Sequence, residues 1–272
     1  MCRFHNIALS ALACPAVALA LLAAPAGETA AQAAPANWNG FYAGLSGGGR
    51  FADNSWATTN IAPNLASQLT NDPQPSASFD DFAPRFGLYA GYNWTVAPAW
   101  IAGIEADLGW APNRNRRAAI PGTMQRDFVF SIVYNNQPYG IVEQDWDASL
   151  RARVGFLVSP DTLVFATGGV AWQAVKLTGA CTVSGGFSDW CTQLHNESHS
   201  DVLTGWTLGG GIERMAGNWL VRADYRYADF GTFRQQFFIF DTGVPFDDRL
   251  TANVAMKTHT FNIGVAYRFG AH

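Results

Sequence analysis

The stretch from Trp100 to Trp110, WIAGIEADLGW, alternates strictly. Trp100, Ala102, Ile104, Ala106, Leu108 and Trp110 share one parity, and Ile101, Gly103, Glu105, Asp107 and Gly109 share the other. A period of two belongs to a β-strand, whose successive side chains point to opposite faces. The pattern also runs from Arg85 to Trp94, where Phe86, Leu88, Ala90, Tyr92 and Trp94 form the apolar face. It returns from Phe261 to Phe269, where Phe261, Ile263, Val265, Tyr267 and Phe269 oppose Asn262, Gly264, Ala266 and Arg268. One face avoids charge in each strand, and the other carries small or charged residues.

Two architectures use such strands. A soluble sandwich turns the oily face inward; a membrane barrel turns it to lipid and keeps small and charged side chains in its lumen. Tryptophan placement favours the barrel. Ten steps of ~3.3 Å, tilted by ~45°, span about 23 Å, close to the apolar band of an outer-membrane barrel with an aromatic girdle at each rim. Trp94, Trp100, Trp110, Trp219, Tyr267 and Phe269 are the girdle candidates. Glycines on the charged face make room for long side chains in a narrow lumen.

Connection lengths supply the topology. Val96 to Ala99, Ser159 to Thr162 and Met215 to Asn218 read as tight turns, and residues near 52–82, 111–144, 179–201 and 231–256 as long polar connections. Short turns at one end and long loops at the other mark a bacterial barrel. The predicted fold is all-β: an eight-stranded antiparallel up-and-down transmembrane β-barrel with four long extracellular loops. Its strands fall near 40–51, 83–95, 100–110, 145–158, 163–176, 202–214, 219–230 and 257–269, with both termini periplasmic. Asp127 to Tyr134 and the segment around Asp241-Thr242-Gly243 read as hairpins raised above the membrane.

Residues 1–33 stand apart from this pattern. Arg3 and His5 precede an apolar run from Ile7 to Ala24, and Ala31-Gln32-Ala33 offers a signal-peptidase site. The expected domains are a signal peptide, 1–33, and an outer-membrane β-barrel, 34–272. Cleavage removes one basic residue, Arg3, and one acidic residue, Glu28, so the net charge stays at −4. No basic surplus is left for nucleic acid. Cleavage also removes Cys2 and Cys14; Cys181 and Cys191 then close a short polar segment of an exported chain, which predicts a disulfide.

The charged face gives the candidate site. With antiparallel third and fourth strands, Glu105 comes level with about Arg153 and Asp107 with about Arg151, so acid meets base. Arg85, Glu213, Arg222, Asp224, Arg226 and Arg268 also point inward by parity. A barrel of this size is only wide enough for its side chains, so these ten residues are expected to form a hydrogen-bonded plug.

NWNGFYAGLSGGG (37–49), ATGGVAW (166–172), DYRYADFG (224–231) and FNIGVAYRF (261–269) resemble the small OmpA-like, opacity-type outer-membrane barrels of the porin family. The resemblance covers essentially the whole mature chain and implies an outer-membrane location. It also implies that Tyr267 and Phe269 belong to the last-strand signal read by the barrel-assembly machinery. Gly270-Ala271-His272 follow the aromatic that usually ends such chains, and the peptidoglycan-binding domain of longer OmpA proteins is not expected.

This fold hosts several functions. The leading expectation is a non-enzymatic envelope component with a structural or surface-interaction role, needing no cofactor or metal. Its partners would be outer-membrane lipids and lipopolysaccharide, the assembly machinery, and a loop ligand the sequence does not name. The alternative is a narrow channel for small solutes. A lipid A deacylase would need a His-x-Ser pair, and His259-Thr260-Phe261 has the wrong third residue. His195 and His199, with surface aromatics such as Phe237 and Phe238, could serve a haem or adhesion receptor, but paired loop histidines are more often solvated.

Overall fold

The computed structural model describes residues 37–62, 69–71, 75–118, 120–125, 139–181, 195–238 and 249–269. The chain divides into two units, Met1–Ala34 and Pro35–His272. The expected signal peptide lies outside the described residues, as do Cys191, the two raised hairpins and the Gly270-Ala271-His272 tail.

The second unit is antiparallel sheet. Its long strands are β1 (Gly40–Ile61), β4 (Asp81–Ala97), β5 (Trp100–Ala118), β7 (Tyr139–Ser159), β8 (Thr162–Cys181), β9 (His195–Ala216), β10 (Trp219–Phe237) and β11 (Leu250–Phe269). Among the described residues there are also three short strands, β2 (Leu69–Asn71), β3 (Ser76–Ser78) and β6 (Thr123–Gln125). Nine strands form one sheet in the order β11-β10-β9-β8-β7-β5-β4-β1-β3, and β11 pairs back onto β1, so the sheet closes as a ring. The ninth strand is β3, which returns from the connection after β1 to pair with Ser55 to Ala57. Closure removes the exposed edges of an open sheet.

Two-residue turns join β4 to β5, β7 to β8 and β9 to β10, at the positions expected from sequence. The turn at Asp161 is tied internally: the Ser159 hydroxyl donates to its Oδ1 at 2.6 Å and Arg214 Nε to its Oδ2 at 3.1 Å. The Ser159 bond, with help from Thr162 and Arg214, holds the Asp161 carboxyl below the usual range. Gly217 turns the chain with φ of 62°, in the left-handed region that glycine enters without cost from a Cβ.

At the other end the strands run further than expected. β1 continues to Ile61, β7 starts at Tyr139, β9 at His195 and β11 at Leu250, so strand takes over much of the predicted loops. Polarity inverts along the way. On β11 the inward positions change from Leu250, Ala252, Val254 and Met256 to Thr258, Thr260, Asn262 and Arg268, all buried. The outward positions change in the opposite sense, from Asn253, Ala255 and Lys257 to Phe261, Ile263 and Val265, the last three exposed.

Pairing changes at the same level. The β4–β5 ladder ends at Phe86↔Trp110, and the β9–β10 ladder at Asp229↔Trp206. Beyond, β5-β7-β8-β9 face β10-β11-β1, to which the first residues of β4 and then β3 are paired. Between them lies a core that includes Trp56, Phe79, Val142, Leu177, Phe237, Leu250 and Val254. This part is built as a soluble sandwich is, oil inside and polar groups outside.

Candidate functional site

Between that core and the tight turns, the inside of the ring is filled by charge. Arg50, Arg85, Glu105, Asp147, Arg151, Arg153, Glu213, Arg222, Asp224 and Arg226 are all buried. Glu105 of β5 is a hub: Arg151 Nη2 lies 2.6 Å from its Oε1, and Arg222 Nη1 and the Tyr42 hydroxyl lie 2.5 and 2.7 Å from its Oε2. Tyr42 also accepts from Arg153 Nη1 at 2.8 Å, and Arg153 reaches Glu213 at 3.4 Å. Ionised partners make these bonds stronger than neutral ones.

A second hub sits nearer the loops. Arg85 bridges Asp107 and Asp147, with Nη2 2.6 Å from each. Arg226 does the same at 2.6 and 2.9 Å, and Arg50 adds a third cation to Asp147 at 3.3 Å. Ser149 donates to Asp107, and Asn262 joins Arg85 to Asp224 through hydrogen bonds of 3.3 and 3.2 Å. Glycine makes the space: a Cβ on Gly109 would stand 2.2 Å from the Arg85 guanidinium.

Nine of the ten charged residues expected inside therefore belong to this network. Arg268 lies apart, near the turn end, where it donates to the Asn39 carbonyl and Asn218 Oδ1. The expected cross-strand register is off by two. Glu105 pairs with Arg151, Asp107 with Ser149, and Arg153 with Gly103. A long connection joins β5 to β7, so no tight turn fixes their register, and the ladder shifts again between Trp110 and Asn113. Arg50 and Asp147 join the network in addition to the expected residues. Both could have been found by parity, Asp147 from Arg151 and Arg153 on its own strand, Arg50 from its place beyond the glycines of β1.

Apolar layers close the network on both sides. Towards the loops lies the Trp56 core; towards the turns lie Trp38, Tyr42, Tyr89, Ile101, Leu163, Phe165, Met215 and Leu220. Trp38, just before β1, is 2% exposed and donates its indole N–H to the Pro160 carbonyl. Arg222 and Arg153 lie over the Tyr89 and Phe165 rings at 3.6 and 4.3 Å, which couples charge to oil.

The outer wall carries aromatics at two levels. Near the turns, Trp94, Trp100, Trp219 and Phe269 are exposed, and Tyr267 packs against Trp219 and Phe269 at 5.3 and 5.1 Å. Near the loops, Trp110 is opposite Trp146, and Trp172 and Trp206 continue the row on β8 and β9. Exposed Leu88, Ile104, Leu150, Val170, Leu208 and Ile263 lie between the two levels.

Cys181 ends β8, and the expected disulfide falls outside the described residues because Cys191 does. His199 pairs with Glu197 at 2.8 Å. Phe237 and Phe238 are not surface aromatics: they are 0% and 5% exposed in the loop-side core, because the inward face there is apolar. His259 is on the outer wall with its Nδ1 2.7 Å from the Tyr225 hydroxyl, while Thr260 next to it points inward and is buried. Among the described residues no group of three or more His, Cys, Asp or Glu side chains is placed to hold a metal.

Known proteins agree with this geometry. The family model described as outer membrane protein beta-barrel domain matches residues 16–269. A 31 kDa outer-membrane immunogenic protein of Brucella melitensis is 26% identical over 239 residues, 86% of this chain and 84% of its own. A 25 kDa outer-membrane immunogenic protein of the same species is 28% identical, covering 76% and 92%. Among solved structures, the Pseudomonas aeruginosa outer membrane protein OprG aligns with a TM-score of 0.51 at 14% identity, over 86% of this chain and 97% of its own. The Escherichia coli outer membrane protease OmpT gives the same TM-score at 8% identity, over 85% and 97%, which is a likeness of fold alone. The chain is an outer-membrane protein and belongs to the outer-membrane β-barrel family.

Proposed function

We propose that the eight long strands cross the outer membrane as a closed barrel, with tight turns in the periplasm and four long connections outside. The chain then serves as a non-enzymatic envelope component, structural or surface-interacting. The observation that carries this reading is the Glu105 and Asp147 network sealed between two apolar layers. An eight-stranded lumen filled in this way offers solutes no continuous polar path. The loop-side sandwich stands above the bilayer and displays the connections. Relatives named for being immunogenic fit a protein with such an exposed part.

In the same reading, residues 1–33 are a signal peptide cleaved after Ala33, Cys181 and Cys191 form a disulfide in the oxidising exterior, and β11 presents Tyr267 and Phe269 to the assembly machinery. Lipid and lipopolysaccharide surround the outer wall. A narrow pore is the second reading, favoured by the many charges inside. Planar-bilayer conductance of refolded, heat-modifiable protein separates the two. A silent, folded barrel supports the sealed component. Discrete steps resized by changing Arg151 or Arg153 would establish a pore.

A further inference from the structure

The turn-side mouth of the ring is closed in part by a residue that does not belong to its wall. Large apolar side chains reach in at that level from four strands: Ile101 of β5, Leu163 of β8, Met215 of β9 and Leu220 of β10. The side where the ring closes offers no such bulk. There the inward pair of β1 and β4 is Gly40 and Asn93, and the last inward residue of β11 is Arg268. Trp38 makes up the difference. It precedes β1, yet it is buried and belongs to the same apolar layer.

The local chain explains how it gets there. Gly40 has φ of 123°, a value that a side chain rarely allows, so the backbone can turn from β1 back under the mouth. Asn39 fastens the segment to both neighbours of β1. Its Oδ1 accepts from the Thr95 amide of β4, and its carbonyl accepts from Arg268 Nη1 of β11 at 3.2 Å. A buried indole needs an acceptor, and Trp38 Nε1 finds the Pro160 carbonyl in the β7–β8 turn at 3.1 Å.

Arg268, the one expected lumen charge outside the network, gains a role here. Its Nη2 donates to Asn218 Oδ1 in the β9–β10 turn at 3.0 Å, so the guanidinium holds Asn39 from an anchored position. The ladders of β1 begin only at Gly40 and Phe41. Residues 37–39 are thus held by a few side-chain hydrogen bonds and one buried ring, and local opening at such a place parts no strands.

We propose that residues 37–40 form a gate at the turn-side mouth, with Trp38 as stopper, Gly40 as hinge and Arg268 as the positioning residue that clasps Asn39. Withdrawal of the stopper admits water from the turn side to the Glu105 hub, while the Trp56 core keeps the loop side closed. The gate deepens the sealed-barrel reading and rests on it.

The test places one thiol in the lumen, Thr167→Cys, in the full chain with native cysteines replaced by serine and refolded in nanodiscs. Thr167 is buried and its hydroxyl lacks a hydrogen-bond partner among the described residues, so the exchange breaks no bond. The probe is iodoacetamide, smaller than the indole that leaves, and the readout is the rate of alkylation by intact mass. The parent should react slowly. Trp38→Ala should react roughly a hundredfold faster, the shift in an opening equilibrium that loss of a buried tryptophan ring implies. Arg268→Ala should also react faster, and Arg268→Lys, which keeps a cationic donor, should return towards the parent. Trp219→Ala, at the same end but exposed on the outer wall, should change nothing. Folding is checked by the gel shift on boiling, and if Trp38→Ala lacks it, the two Arg268 variants decide. A parent that reacts as fast as its variants would overturn the sealed reading and the gate with it. A slow parent with folded variants equally slow would overturn the gate alone.

Discussion

Arg222 on β10 reaches Glu105 on β5, Nη1 to Oε2 at 2.5 Å, although the two strands are not neighbours in the sheet. The bond crosses the lumen, so it ties opposite walls of the ring together. Removing Glu105 leaves Arg151, Arg153 and Arg222 as buried cations short of a partner. Breaking a buried ionic group by losing one member costs about 3–5 kcal/mol. Glu105→Leu should therefore lower the urea stability of the lipid-refolded protein by that order, and an unchanged unfolding midpoint would show that the network does not hold the walls.

The lipid-facing wall makes the opposite demand. Ile104 is 51% exposed midway between the two aromatic levels. Ile104→Arg should cost roughly 2–4 kcal/mol on refolding into lipid, the penalty for a cation at mid-bilayer. Equal refolding of variant and parent would place that face in water instead.

Adjacent glycines in β1 should behave differently. A Cβ on Gly48 would stand 1.8 Å from the Phe261 carbonyl oxygen, whereas one on Gly47 meets nothing nearer than a Phe86 ring carbon at 4.0 Å. Gly48→Ala has to push β11 away and should destabilise by about 1–3 kcal/mol. Gly47→Ala should stay within about 0.5 kcal/mol of the parent. Both can be read from the same denaturant series.

The loop-side core predicts a separable failure. Trp56 is wholly buried, stacked on Phe237 at 5.3 Å and packed against Phe79 at 5.8 Å. Trp56→Ala should cost about 3–5 kcal/mol in that sandwich. Proteolysis should open the loop-side segments while the membrane part keeps its heat-modifiable gel shift. Loss of both together would mean that the two parts fold as one unit.

The membrane part was readable in sequence because lipid outside and charge inside impose one alternation on every strand: Ile104 against Glu105, Val265 against Arg268. Tight turns at Pro98, Pro160 and Gly217 were equally plain. The loop-side extensions were not, because the alternation reverses sign there. Trp56, Val254 and Met256 are inward apolar residues in a stretch whose outward neighbours are polar, so a rule fitted to lipid outside reads them as loop. The partners of Glu105 were visible by residue type, but their register was not. Arg151 and Arg153 differ by two positions on the same face, and only the fold of the long connection between β5 and β7 chooses between them.

The most direct test of the account is a spin-label accessibility scan of β11 from Asn253 to Val265, in lipid vesicles and with native cysteines replaced by serine. The polarity inversion predicts that labels at 261, 263 and 265 meet oxygen dissolved in lipid, that labels at 253 and 257 meet a water-soluble relaxation agent, and that even positions meet neither. Oxygen contact continuing without a break up to Asn253, or no alternation at all, would contradict a barrel that leaves the membrane near His259 and closes above it as a sandwich.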